Sequence, residues 1–115
     1  MWNGIIDFKA MSERVDGDVD LLQEIIKIFL SRYPNVVARI GQAITAADSK
    51  SLEAEAHNLR GYLVSLHAKR SSEVVLELEM KGRLNDFLGA GEIFSKLKRE
   101  LELLNPLLTK TLTNP

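Results

Sequence analysis

The chemistry this chain can offer is concentrated in one hexapeptide, Ala56-His57-Asn58-Leu59-Arg60-Gly61. On a helix, at about 100° per residue, Ala56 and Leu59 turn together toward a core and His57 lies beside that stripe. A neutral imidazole is a competent nucleophile near neutral pH, because its ordinary pKa of about 6.5 leaves it mostly unprotonated. Gly61 stands one turn beyond His57, and a glycine inside a helix costs roughly 0.5–1 kcal/mol relative to alanine. Bare backbone beside an imidazole would offset that cost by letting another molecule approach the ring. Arg60, three residues from His57, can reach an anion held there. Taken alone, the six residues fit a blander and commoner reading: a half-exposed surface histidine, with a glycine where two helices pack closely.

The elements that must position these residues are read from the whole chain. Its 115 residues suit one domain spanning residues 1–115, able to bury roughly two-thirds of its unfolded surface. Fifteen basic and sixteen acidic residues leave a net charge of -1, so no polybasic surface argues for nucleic acid. The absence of cysteine excludes disulfides, thiolate metal sites and thiol catalysis. No apolar run approaches the roughly 20 residues of a membrane span, and Trp2-Asn3-Gly4 does not open a signal peptide. The expectation is a soluble, cytoplasmic protein.

Apolar residues recur at helical spacing almost throughout. A short helix is expected within Ile5 to Val15, built on Ile6, Phe8 and Met11 and capped by Asp7. Asp18 caps a long helix from Val19 to Ala47 with the stripe Leu22, Ile26, Phe29, Tyr33, Val37, Ile40 and Ile44. Leu21, Ile25 and Ile28 form a second row beside it, either a widening of the core face or a surface left for a partner. Pro34 predicts a kink or break. Asp48 caps the helix Ser49 to Leu66, whose inward stripe is Leu52, Ala56, Leu59, Leu63 and Leu66. A further helix runs from Lys69 to Lys81, with Val75 and Leu78 inward and Gly82 as its C′ residue. Arg83 to Gly89 reads as a loop with a candidate cap at Asn85. The last helix starts near Ala90 and carries Ile93, Phe94, Leu97, Leu101, Leu104 and Leu108. Pro106 should bend it or begin a separate turn, and the tail from Thr109 should fray. Long amphipathic helices with short connections predict an all-α, up-down four-helix bundle with a short additional N-terminal helix.

Several motifs then point the same way. Ala56-His57-Asn58-Leu59-Arg60-Gly61 resembles the A-H-x-L-K-G pattern of histidine-containing phosphotransfer (HPt) domains, the phosphoryl carriers of multistep two-component phosphorelays. Leu78-Glu79-Met80-Lys81-Gly82-Arg83 is similar to the L-E-x-x-G-R that often follows. Leu21, Leu22, Phe29, Pro34, Asp48 and Leu52 keep the upstream spacing. The likeness spans almost the whole chain in order. Arg60 replaces the usual lysine, exchanging a compact ammonium for a planar fork. Val64 stands where glycine or alanine is common, His67 where a glycine ends the helix, and Ser71 where leucine is common.

The resemblance implies that His57 takes a phosphoryl group from a phosphoaspartate of a receiver domain and passes it to another receiver. It implies a carrier rather than an enzyme, with no cofactor or metal of its own, because the receiver brings Mg²⁺ and an acidic pocket. Arg60 would steady the phosphoryl oxygens and Gly61 would keep the approach open. Glu79 stands where related domains carry a polar residue bonded to the histidine ring, which would fix the tautomer. Leu21, Ile25, Asn58 and Val64 are the expected docking surface for receivers of response regulators or hybrid kinases; no nucleic acid or membrane partner is expected. His67 reads as a helix-end residue suited to the dipole; two histidines and scattered carboxylates make a poor metal site. The alternatives are an adaptor of the same fold that binds receivers without being phosphorylated, and the phosphorylation domain of a chemotaxis-type kinase.

Overall fold

The computed structural model describes residues 4–113. Five helices follow one another: α1 (Phe8–Arg14), α2 (Val19–Thr45), α3 (Ser49–Ser65), α4 (Lys69–Arg83) and α5 (Ala90–Thr113). Each start is chemically explicit for the first three. The carboxylates of Asp7, Asp18 and Asp48 accept from the backbone N–H of Ala10, Leu21 and Ser51 respectively, which satisfies donors that a helix N-terminus otherwise leaves open.

Helices α2 to α5 close into a ring, α2 against α3, α3 against α4, α4 against α5 and α5 back against α2, with the α3–α4 pair the most intimate. Connections of three to six residues between consecutive helices require antiparallel neighbours. The result is the expected up-down four-helix bundle. Helix α1 packs on α2, and the segment before it is stitched to the α3–α4 junction: Asp7 N–H donates to the His67 carbonyl (3.1 Å) and Arg70 N–H to that of Gly4 (2.8 Å). The core is Ile26, Phe29, Val36 and Ile40 from α2 with Leu52, Ala56, Leu59 and Leu63 from α3. Val75 and Leu78 from α4 and Leu97, Leu101, Leu104 and Leu108 from α5 complete it. Phe29 stacks on Tyr33 with ring centroids 4.7 Å apart and meets Tyr62 edge-on.

Several expectations are corrected. Of the kink or break expected at Pro34 and the bend or separate turn at Pro106, the break and the separate turn do not occur. Helices α2 and α5 are each continuous, α5 to Thr113, so the polar tail expected to fray is helical as far as it is described. The packed faces on either side of each proline outweigh the one backbone bond it removes. On α2 the deeply buried line passes through Val36 and Ala43, leaving Val37 and Ile44 half-buried at its edge. Helix α4 continues two residues past Lys81, so Gly82 lies inside it and is not a C′ residue. A Cβ on Gly82 would stand 2.5 Å from the Glu53 backbone nitrogen and 2.9 Å from the Ser49 carbonyl oxygen, so this glycine is where α4 and α3 touch backbone to backbone.

The true C′ residues are unexpected. Asp16, Ala47, His67 and Asn85 all have φ of 52–54° and end the first four helices. Each end carries the paired bonds of a Schellman motif. At α4, Asp86 N–H donates to the Lys81 carbonyl and Asn85 N–H to that of Gly82; at α3, Ala68 N–H donates to Leu63 and His67 N–H to Val64. Asn85 therefore closes α4 and does not start α5. His67 sits beyond the last helical residue of α3, as a helix-end residue should, and its Nε2 is buried without a partner. Trp2, Asn3, Asn114 and Pro115 lie outside the described residues.

Candidate functional site

Four apolar residues of α3, Leu52, Ala56, Leu59 and Leu63, are fully buried, and that fixes the rotation of the helix. Position 57 is then turned outward, on the side facing α4. The His57 side chain is 68% exposed, yet its ring is tied down: Nδ1 lies 3.0 Å from Glu79 Oε2. Glu79 is on α4, one residue past the core Leu78, and its side chain is only 1% exposed. The close approach of α4 to α3 at Gly82 brings the two side chains within reach.

A carboxylate this buried needs donors, and Glu79 has three residues supplying them. Arg60 Nε donates to Oε1 at 2.6 Å and its Nη2 to Oε2 at 3.4 Å. Arg83 Nη2 reaches Oε2 at 3.3 Å, while Arg83 Nε donates to Glu53 at 2.9 Å. The hydrogen bonds from Arg60, and after it from His57, outweigh desolvation and hold the Glu79 carboxyl below the usual carboxylate range. The same bond raises the Arg60 pKa further. Glu79 is therefore ionised at neutral pH.

That charge dictates the histidine tautomer. An ionised carboxylate only accepts, so the ring donates from Nδ1 and keeps its lone pair on Nε2, at the other edge. Arg60 Nη2 lies 3.5 Å from Nδ1; two donors face each other there, so this contact is not a hydrogen bond in that tautomer.

Of the residues expected from sequence, His57, Arg60 and Glu79 come together in one cluster. Gly61 is exposed, and a Cβ on it would meet nothing within 4 Å, so close helix packing does not explain this glycine. Asn58 is exposed beside the ring; Leu21 and Val64 are 47% and 49% exposed. Ile25 is half-buried against the core, so the second row of α2 is split, part core and part surface. Val64 opens onto a hollow of about 720 Å³ that it shares with Ile6, Phe8 and His67. Arg83 and Glu53 were not expected near the histidine. Their signal was present: Glu53 precedes His57 by four residues and Arg83 follows Glu79 by four, so each pair shares a helix face. Among the described residues no group of three or more His, Asp and Glu side chains could hold a metal ion, and no helix is long and apolar enough to cross a membrane.

The fold is shared with solved structures of phosphotransfer proteins. Histidine-containing phosphotransfer protein B (HptB) from Pseudomonas aeruginosa PAO1 superposes with a TM-score of 0.89 at 17% identity, covering 96% of each chain. The HPT domain of a sensor hybrid histidine kinase from Shewanella superposes with a TM-score of 0.84, also at 17% identity, covering 97% of each chain. No curated protein sequence matches the chain. The family model for the Hpt domain matches residues 24–105, which takes in the helix of His57, the helix of Glu79 and most of the bundle around them; the chain belongs to the Hpt domain family, the phosphotransfer carriers of phosphorelays.

Proposed function

We propose that His57 is the phosphoryl acceptor of this carrier and that its donor and recipient are aspartates of receiver domains. One observation carries the reading: an exposed imidazole whose Nδ1–H is held by a buried, ionised glutamate, leaving the Nε2 lone pair toward solvent. A surface histidine with no chemistry needs no such support.

The step balances without moving a proton. Nε2 forms a bond to phosphorus as the P–O bond of the receiver's aspartyl phosphate breaks, and the electron pair returns to the aspartate as a carboxylate. The ring, still carrying its Nδ1–H, becomes cationic against Glu79, which stabilises that charge. Because the phosphorylated ring stays protonated, it leaves readily when a second receiver attacks, and His57 is restored in its original tautomer. Phosphoryl transfer asks mainly for positioning and charge neutralisation. The chain supplies the nucleophile, the cations Arg60 and Arg83, and a surface. Its buried carboxylate at the site, Glu79, is committed to three donors and Glu53 to Arg83, which supports the expectation that Mg²⁺ and the acidic pocket come from the receiver. Gly61 leaves the approach clear, and exposed Leu21, Asn58 and Val64, with Ile25 behind them, offer the docking face.

The test is phosphotransfer from a panel of phosphorylated receiver domains, read by intact mass with His57→Gln beside the native chain. Acid-labile phosphate on the native chain and none on the variant is the expected result. Receiver binding without transfer would replace this reading by the adaptor.

A further inference from the structure

In the structure Arg60 is on the wrong side of the ring for its expected task. Its Nε and Nη2 are both spent on Glu79, and the guanidinium lies at the Nδ1 edge of His57, 3.5 Å from that nitrogen. A phosphoryl group on Nε2 would sit at the opposite edge. To bring its Nε–Nη2 edge to the phosphoryl oxygens Arg60 must let go of Glu79. Oε1 would then lose the only donor it has among the described residues, and a carboxylate 1% exposed would be left short of positive charge. Leaving a buried carboxylate uncompensated is costly, which would hold Arg60 in place.

Arg83 changes that balance. Its Nη2 is 3.3 Å from Glu79 Oε2, and its Nε is anchored on Glu53 at 2.9 Å, four residues before His57 on the same face of α3. Arg83 and Glu53 are exposed by 53% and 38%, so their pair contributes little to folding. What it does is hold a second cation on Glu79, one that is itself fixed by Glu53. Resting on the acceptor role of His57, we propose that Arg83, anchored by Glu53, is a positioning residue that keeps Glu79 charged and in place, and thereby frees Arg60 to turn from Glu79 to the phosphoryl group.

A double-mutant cycle tests this on the full chain. Phosphoramidate serves as donor, so that no receiver is needed: Nε2 bonds to phosphorus as the P–N bond breaks and ammonia leaves. Phosphorylation of His57 is followed by intact mass in the native chain, Arg83→Gln, Arg83→Lys, Arg60→Gln and the double variant Arg60→Gln/Arg83→Gln, with thermal melting confirming that each is folded. Arg83→Gln should react about tenfold more slowly than the native chain. Arg83→Lys should recover most of the rate, and the losses of Arg60→Gln and Arg83→Gln should not multiply in the double variant, because both residues act through Glu79. Losses that multiply in the double variant would overturn the proposal, since Arg83 would then act independently of Arg60. Exchange of the Arg60 Nε proton, measured by NMR on unphosphorylated protein, gives a separate reading. It should slow several-fold in Arg83→Gln, where Arg60 is held more tightly, and an unchanged rate would overturn the proposal. A native chain that takes no phosphate would overturn the acceptor role of His57, and with it the destination of Arg60; the exchange measurement would still report whether Arg83 shares Glu79.

Discussion

The ring of His57 is exposed because Ala56 and Leu59 on either side of it are not, and it is held because Glu79 is buried where the ring can reach it. Exposure and restraint are opposite requirements, met by placing the imidazole on one helix and its support on the next. Gly61 shows the same division. Its missing side chain is not filled by any neighbour, so Gly61→Ala should keep the fold and stabilise it by about 0.5–1 kcal/mol through helix propensity alone. The same variant should slow transfer from a receiver while leaving the reaction with phosphoramidate close to native. Melting curves and the two rates check both halves. Loss of stability would mean that the glycine serves packing after all.

At the scale of elements, two helix contacts matter most. Gly82 lets α4 touch the α3 backbone at Glu53 and Ser49. A methyl group there collides with backbone, which cannot rotate away. Gly82→Ala should cost about 2 kcal/mol, with the gain in helix propensity already offset, and should loosen the His57–Glu79 contact. Chemical denaturation and the Nδ1 proton signal of His57 would show both effects. The helix ends offer the reverse case. Ala47 closes α2 at φ 52°, a conformation that costs a residue with a Cβ about 1 kcal/mol or more. It is exposed. Ala47→Gly should therefore stabilise the protein by about 0.5–1 kcal/mol after the entropy that glycine adds to the unfolded chain. A lower melting temperature would count against this account of the end.

For the whole molecule, the site leaves a mark on the pH dependence of stability. The Glu79 carboxyl, with an ordinary value of 4.5, is held lower in the folded protein by Arg60 and His57. Its contribution is fully present above the unfolded value and is lost as pH falls through the lowered folded value. Between about pH 5 and the lower end of the transition, the native chain should lose stability faster on acidification than Glu79→Gln does. Denaturant midpoints across that range measure the difference, and parallel curves would place the acid sensitivity elsewhere. The long axis of the molecule, 41 Å, is essentially the length of α2. The bundle is thus a post about as long as its longest helix, with the exposed His57 ring on its side.

Much of this was legible in order along the chain. Apolar spacing located every helix, aspartates at 7, 18 and 48 marked three starts, and the core stripe of α3 turned His57 outward. These are local signals, since periodicity and capping act within a few residues. The histidine motif, with its glycine and nearby cation, also pointed to the chemistry before any fold was known. What tertiary structure alone decided is what depends on two segments meeting. Pro34 read as a kink or break and Pro106 as a bend or new turn because a proline's cost is local, whereas the packing that carries the helices through them is not. Gly82 read as a helix end because nothing in its neighbourhood reveals the backbone of Glu53 opposite. Glu79 could be a surface residue or the partner of His57 until the α3–α4 approach buried it. Arg83 and Glu53, 30 residues apart in sequence, became a pair only across that approach. The exposed histidine is thus a property of the sequence, and its tautomer is a property of the fold.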